Sequence, residues 1–527
     1  MKKILISDSI DEKCADIFKA AGFDVDVKTD YSERELRSVI SDYNALVVRS
    51  STQVDAELIE QMEKMEVIGR AGAGVDNIDI RTATRKGILV MNTPGGNTIS
   101  AAEHTIALML ATARKIPQAN ISLHLKKWDR KRFQGNELYG KTLGLIGLGK
   151  IGKEVAVRAN AFGMKVISFD PLVSADSVSE MEIQLVSIDD IWKNADIISV
   201  HTPLNDRTTN LISYNTLAKC KPGVVIINCA RGGIVNESDL LKALKEGKVS
   251  AVGLDVFETE PPDFSIGLIQ HPSVVSTPHL GASTDEAQQK VAIQIAEQIV
   301  GYFKEGSSSG SVNASGLKEI TNDILKSFIR LSELLGKLLS QVRHDSLNKI
   351  RISYRGELLR SSTKLLSTAF LKGFLSEEMD TIVNNINASV IAEEMGIVLE
   401  EINSTDHRDY FNLIEAEIFT NSGEWKFSGT VFGNSDLRIV EINGYPVEFK
   451  PEGDILIYKN IDKPGMLASV SRELSLSNIN IAGLSLGRKT EGELALTVVN
   501  IDSPLNDEVK NSISLIEGIK DIFTVRI

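Results

Sequence analysis

Short aliphatic runs alternate with longer stretches of helical apolar spacing through the first half of the chain. Lys3–Ser7, Ala45–Val48, Val67–Arg70 and Leu89–Asn92 read as strands with amphipathic segments between them. That alternation predicts a parallel sheet covered on both faces. A largely apolar helix is expected from about Ser100 to Arg114, followed by the charged stretch Lys126–Arg132. A second series starts at Thr142, with strands expected at Leu143–Ile146, Lys165–Phe169, Ile197–Thr202, Val224–Cys229, Ala251–Val256 and Val274–Thr277. Six strands are what a dinucleotide-binding sheet requires. After Ala282 an amphipathic helix runs to about Lys304, and its natural place is back on the first domain.

Glu305–Gly310, with three serines between glycines, has the composition of a flexible linker. Residues 312–450 mix helix and strand and carry no motif that ties them to chemistry. From 454 to 527 the expected order is strand, helix, strand, strand, helix, strand, a ferredoxin-like split β-α-β pattern.

Composition narrows the function classes. At 527 residues the chain exceeds one hydrophobic core, so three or four domains are expected. A net charge of −13 disfavours nucleic acid or an anionic membrane as partner, so an anionic substrate needs a local basic pocket. No apolar run reaches the roughly 18–20 residues that cross a bilayer. The start, Met1–Asp8, reads as a strand and not as a signal peptide. Cys14, Cys220 and Cys229 are scattered and odd in number, which points to a reducing, cytoplasmic setting. No cluster has metal-ligand spacing, so no metal is expected.

Gly147-x-Gly149-x-x-Gly152 follows one strand and opens a helix. Such glycines permit a tight turn, close approach of a pyrophosphate, and helix-to-strand packing. Backbone N–H groups at Lys150 and Ile151 then face the phosphates at the positive end of the helix. Asp170 ends the next strand, where a carboxylate accepts from the ribose hydroxyls and repels a 2′-phosphate. The expected cofactor is therefore NAD; the alternative for Asp170 is a cap on the Pro171 turn.

Three further segments fall at strand ends of the same series: Asn228–Val235 with Arg231, Asp255–Pro262 with Glu260, and Thr277–Thr284 with His279. Oxidising a secondary alcohol needs a base near neutrality, which histidine supplies, and a carboxylate that orients it. A two-pronged cation for the substrate carboxylate suits arginine. Taken singly, each of these residues also reads as an ordinary loop or turn residue. His104, inside the apolar helix, reads as packed, and nothing marks Cys229 as an activated thiolate.

In that order, the glycine turn, Arg231, Glu260 and His279 resemble the D-2-hydroxyacid dehydrogenase family. The resemblance implies a Rossmann NAD-binding domain at 99–282 and a discontinuous flavodoxin-like substrate domain at 1–98 and 283–308. It assigns His279 as acid/base, Glu260 as its partner and Arg231 as the substrate-polarising cation. Cofactor contacts are implied for Gly147, Gly149, Lys150, Ile151, Gly152, Asp170, Thr202, Cys229, Ala230, Arg231, Asp255, His279, Gly281 and Ala282. Substrate contacts are implied for Arg49, Ser50, Arg70, Gly72, Gly74 and Asn97. Arg130 joins them if the basic stretch Lys126–Arg132 meets a phosphorylated substrate; its alternative is a solvated helix end.

Simple members of that family end near the linker. Here Asp462–Val470 resembles the start of an ACT regulatory domain, at 454–527, preceded by an α+β allosteric domain at 312–450. Asp462, Gly465 and Asn480 are the implied effector residues, with L-serine as the expected effector; the alternative is an ACT unit that only dimerises. A homotetramer is expected. The implied activity is NAD-dependent oxidation of 3-phosphoglycerate to 3-phosphohydroxypyruvate, opening serine biosynthesis. Alternatives are a reductase for glycerate or hydroxypyruvate, and a non-catalytic NAD-sensing protein like the corepressors of this fold.

Overall fold

The architecture comes from a computed structural model that describes residues 1–314, 322–343, 345–379, 382–404 and 409–527. The first sheet contains β1 (Lys3–Ile6), β2 (Asp24–Val27), β3 (Ala45–Val48), β4 (Val67–Arg70) and β5 (Leu89–Asn92) in the order β2-β1-β3-β4-β5, all parallel. This is the flavodoxin-like order. The strand missing from the sequence reading is β2, whose Asp-Val-Asp-Val run sits half exposed at the sheet edge.

The second sheet holds β6 (Thr142–Ile146), β7 (Lys165–Phe169), β8 (Ile183–Leu185), β9 (Ile197–Val200), β10 (Val224–Asn228), β11 (Val249–Leu254) and β12 (Val274–Ser276). Its order, β12-β11-β10-β9-β6-β7-β8, reverses direction at β6, the switch point of a Rossmann sheet. There are seven strands, not six. The extra one, β8, is a three-residue edge strand too short and too exposed to leave a periodic signal.

The Thr98–Arg114 helix carries the chain from the first sheet to the second. Left-handed Lys115 ends it, and Pro117 opens the next helix, Ile116–His124. The Asp285–Glu305 helix returns to the first sheet. Thr284 caps its N-terminus, Asp285 and Glu286 match its positive end, and left-handed Gly306 stops it. Its Val291, Ala292, Ile295, Ala296 and Ile299 are buried in one core with Ile4, Val47, Val67 and Met91. Gly69 makes room for that contact, since a Cβ there would lie 2.6 Å from Ile299 Cδ1.

The expected flexible linker is instead docked. Gly310 O accepts from Asn92 N, Val312 N donates to Val90 O, and Asn313 Oδ1 accepts from Val90 N. The free edge of β5 leaves backbone groups unpaired, and this segment satisfies them.

β13 (Leu347–Arg355), β14 (Leu399–Ser404), β15 (Leu413–Thr420), β16 (Glu424–Phe432), β17 (Asp436–Ile442) and β18 (Tyr445–Phe449) form a sheet in the order β14-β13-β15-β16-β17-β18. The final sheet, β19 (Asp454–Ile461), β20 (Ile481–Arg488), β21 (Leu494–Ile501) and β22 (Ile519–Arg526), is ordered β20-β21-β19-β22, which is ferredoxin-like. One of its faces is covered by its own helices, with Leu456, Tyr458, Val470, Leu474 and Ile513 buried. The other face puts Ile455, Ile457, Leu496, Val498 and Val525 into the same core as Phe328, Leu335 and Phe427.

Candidate active site

The glycine turn links β6 to the Lys150–Ala161 helix, and its three glycines are needed for different reasons. Gly147 has φ 97°, and a Cβ on it would lie 2.5 Å from His201 O. On Gly152 a Cβ would strike Gly147 O. Around Gly149 no atom of the described residues lies within 4 Å of that position, so its open side leaves room for a pyrophosphate. Asp170 uses Oδ2 to accept from Leu148 N at 2.8 Å and Oδ1 to accept from Leu172 N at 2.9 Å. It thus braces the glycine turn and the Pro171 turn together, so the turn-capping alternative describes part of its role.

Between the two sheets lies a cleft of about 700 Å³. It is lined by Arg49, Ser50, Arg70, Gly72, Gly74 and Asn97 from the first sheet's loops. From the other side come Ile151, Thr202, Cys229, Ala230, Arg231, Asp255, Glu260, His279, Gly281 and Ala282. Arg130 stands apart on an exposed turn and does not line the cleft, because the Ile116–His124 helix leads its segment out to solvent.

His279 Nδ1 lies 2.7 Å from Glu260 Oε2. Burial pushes the Glu260 carboxyl up, but hydrogen bonds from His279 and Phe257 N–H and the charge of His279 hold it below its ordinary value. The Glu260 carboxylate accepts a hydrogen bond from Nδ1–H, which leaves Nε2 as the ring nitrogen available to accept a proton. His279 itself is left-handed, with φ 52°.

Three guanidinium groups share this cleft. Arg231 donates from Nε to Asp76 Oδ2 at 3.0 Å and sits where a Cβ of Gly74 would be. Burial, together with the charge of Arg231, lowers Arg70 to about 10. Arg49 is lowered by burial and countered only by Asp8. Mutually repelling cations in a partly buried cleft favour a multiply charged anion.

The pocket residues also fit a dinucleotide. Thr202 Oγ1 is buried without a hydrogen-bond partner among the described residues, at a position assigned to the cofactor from sequence. Burial lowers the neighbouring His201 to about 4, so it faces the site as a neutral ring, bonded to Ser199 Oγ at 2.9 Å. Burial raises Cys229 to about 12, so it carries no thiolate at neutral pH.

Several supporting residues have no motif. Asp8 accepts from the backbone of Arg49, Ser51 and Thr52 and so shapes the loop that carries Arg49. Asn77 ties Arg49 O to Thr52 O, and Asn92 donates to Ala73 O. His104, read as packed, bonds to Asp255 and Thr277. Each of these contacts spans 19 residues or more, which local spacing does not register.

The residues expected to bind an effector lie in the last sheet's unit. Gly465 is the left-handed N-cap of the Met466–Leu476 helix. Asp462 pairs with Arg488 at 3.2 Å and accepts from Gly492 N. Asn480 donates to Asp502 Oδ2 at 2.7 Å.

Comparison with known proteins bears on the whole chain. Residues 106–281 match the profile of the D-isomer specific 2-hydroxyacid dehydrogenase NAD-binding domain, and 324–443 match the D-3-phosphoglycerate dehydrogenase intervening domain. The D-3-phosphoglycerate dehydrogenase of Methanocaldococcus jannaschii is 42% identical over 528 residues, covering 100% of both chains. That of Bacillus subtilis is 40% identical over 92% of each. Among solved structures, the Aquifex aeolicus D-lactate dehydrogenase complexed with NAD and lactic acid aligns with a TM-score of 0.52 at 27% identity, over 58% of this chain and 96% of that one. With full-length identity of this order, an NAD-binding sheet and the intervening domain in one polypeptide, the chain belongs to the D-3-phosphoglycerate dehydrogenases of the D-isomer specific 2-hydroxyacid dehydrogenase family.

Proposed function

We propose that the cleft oxidises 3-phosphoglycerate at C2 to 3-phosphohydroxypyruvate, the step that opens serine biosynthesis. The observation that carries this is the His279–Glu260 pair at 2.7 Å in a cleft that also holds three arginines, within a chain of net charge −13. Arg231 pairs with the substrate carboxylate and polarises the C2 oxygen; Arg49 and Arg70 take the phosphate end, with Ser50, Asn97 and the backbone of Gly72 and Gly74 closing around it. His279 Nε2 accepts the C2 hydroxyl proton while Glu260 stabilises the imidazolium that forms. Bound NAD would supply the hydride acceptor. The glycine turn, Lys150, Asp170, Thr202, Ala230, Gly281 and Ala282 would hold it, with Cys229 as an apolar wall of the site.

The test is turnover with NAD and NADP on phosphorylated and unphosphorylated 2-hydroxy acids, with His279→Ala as control. The reading predicts a preference for NAD and the phosphorylated acid, and a loss of about 10²–10⁴-fold in His279→Ala with nucleotide affinity kept. Equal rates on glycerate, or a fully active His279→Ala, sinks it.

The same reading assigns domains at 1–98 with 283–308, 99–282, 312–450 and 454–527. It includes a homotetramer in the cytoplasm, with exposed Ile116, Ile121, Leu123 and Leu125 as a pairing surface. L-serine is the proposed effector at Asp462, Gly465 and Asn480. Titration calorimetry with serine tests this; no heat and no change in rate eliminates it.

A further inference from the structure

The Thr98–Arg114 helix starts immediately after Asn97, which lines the cleft, and crosses to the second sheet. Ser100 and His104 lie one turn apart on it and so share a face. That face meets the loop that carries His279. Ser100 Oγ donates to Gly281 O at 2.8 Å in a buried contact. His104 Nε2 lies 3.1 Å from Asp255 Oδ1 and 3.0 Å from Thr277 Oγ1. A carboxylate only accepts, so Nε2 carries the proton toward Asp255.

Asp255 is 1% exposed and is the post around which the loop folds. It accepts from Thr277 Oγ1 at 2.6 Å, Leu280 N at 2.7 Å and Gly281 N at 2.8 Å. His279 stands between those contacts in a left-handed conformation, which crowds the Cβ of a non-glycine residue against its own backbone. Such a conformation persists only where the surroundings over-determine it. The loop has its anchors on both sides of His279, and two of them come from the helix.

We propose that Ser100 and His104 are positioning residues for the dehydrogenase reaction: acting through Gly281 and Asp255, they hold the His279 loop against the helix that leads out of the substrate side of the cleft. This rests on the reading of His279 as the acid/base. Because Asn97 caps the start of this helix, the loop of the proton acceptor is tied to the element that carries Asn97, and the imidazole stays in register with the substrate. A misplacement of about 1 Å at the reacting atoms costs on the order of 10²-fold in rate.

The experiment uses the full-length protein as His104→Ala, His104→Gln, Ser100→Ala and His279→Gln. It measures kcat, KM for both substrates, nucleotide affinity, the melting midpoint, and the primary isotope effect with C2-deuterated hydroxy acid. His104→Ala is expected to lower kcat about 10- to 100-fold, leave nucleotide affinity within about threefold, and raise the isotope effect as hydride transfer becomes limiting. His104→Gln, whose amide still donates toward Asp255, recovers kcat to within about fivefold of the parent. Ser100→Ala shows the same split at smaller size. The proposal is overturned if His104→Ala keeps kcat within about twofold. It is equally overturned if His104→Gln is no better than His104→Ala and both melt early, which marks a purely structural residue. An inactive His279→Gln beside a fully active His104→Ala rejects the positioning role alone. An active His279→Gln rejects the acid/base reading and this proposal with it.

Discussion

Arg231 and Asp76 form an ion pair across the cleft, Nε to Oδ2 at 3.0 Å, joining the loop after β10 to the loop after β4. The pair is solvent-accessible, with the Asp76 side chain 66% exposed, so it contributes at most about 1 kcal/mol to stability. It engages the guanidinium proposed to pair with the substrate carboxylate. Asp76→Asn is therefore expected to leave the melting midpoint unchanged and to lower KM for the hydroxy acid by about threefold. A rise in KM would show that Asp76 orients Arg231 and does not compete for it.

The glycine turn allows a sharper separation of fold from binding. Gly152→Ala drives a Cβ into the backbone carbonyl of Gly147 and should lower the melting midpoint. Gly149→Ala meets no protein atom, so the fold should survive while KM for NAD rises about tenfold or more. If Gly149→Ala binds nucleotide normally, the pyrophosphate does not pass there.

Asp170 serves the turn through both its oxygens, yet it also sets the charge at the end of β7. Asp170→Asn should keep one accepting oxygen for the turn and remove the repulsion of a 2′-phosphate. The NAD-to-NADP preference, measured as a ratio of kcat/KM, should fall by about tenfold or more. An unchanged ratio would assign the discrimination to other residues.

Acid should loosen the loop that carries His279. Burial raises the Asp255 carboxyl, but hydrogen bonds from His104, Thr277 and Leu280 N–H, with the charge of His104, hold it below 3.8 overall. A folded-state value below the unfolded one stabilises the protein above the unfolded value, about 3.9, and that stability is lost as pH falls through the folded one. Asp255→Asn should thus be less stable than the parent at pH 7 and closer to it at about pH 3. Urea midpoints at both pH values check the sign; a gap that widens in acid refutes it.

Much of this molecule was legible along the chain. The spans Ala45–Val48, Val67–Arg70, Leu89–Asn92 and Lys165–Phe169 coincide with observed strands because strands buried on both faces are continuous aliphatic runs. Edge strands β2 and β8 were not legible, since an exposed edge needs no apolar run. The serine-rich 305–310 segment reads as flexible by composition, but its end at Gly310 and the residues after it are docked on the edge of β5, because an unpaired strand edge recruits backbone irrespective of side chain.

The sequence by itself marked which residues are able to carry chemistry, since only certain side chains accept a proton near neutrality or pair with a carboxylate, and their strand-end spacing follows from the sheet. Tertiary structure decided which of them meet. It brought Arg49, Arg70 and Arg231 together from distant segments, left Arg130 outside, and gave Asp8, Asp76 and His104 roles that no local pattern announces. The physical reason is range: periodicity and turn chemistry act over a few positions, whereas the ties holding this site join residues 19 to 181 apart.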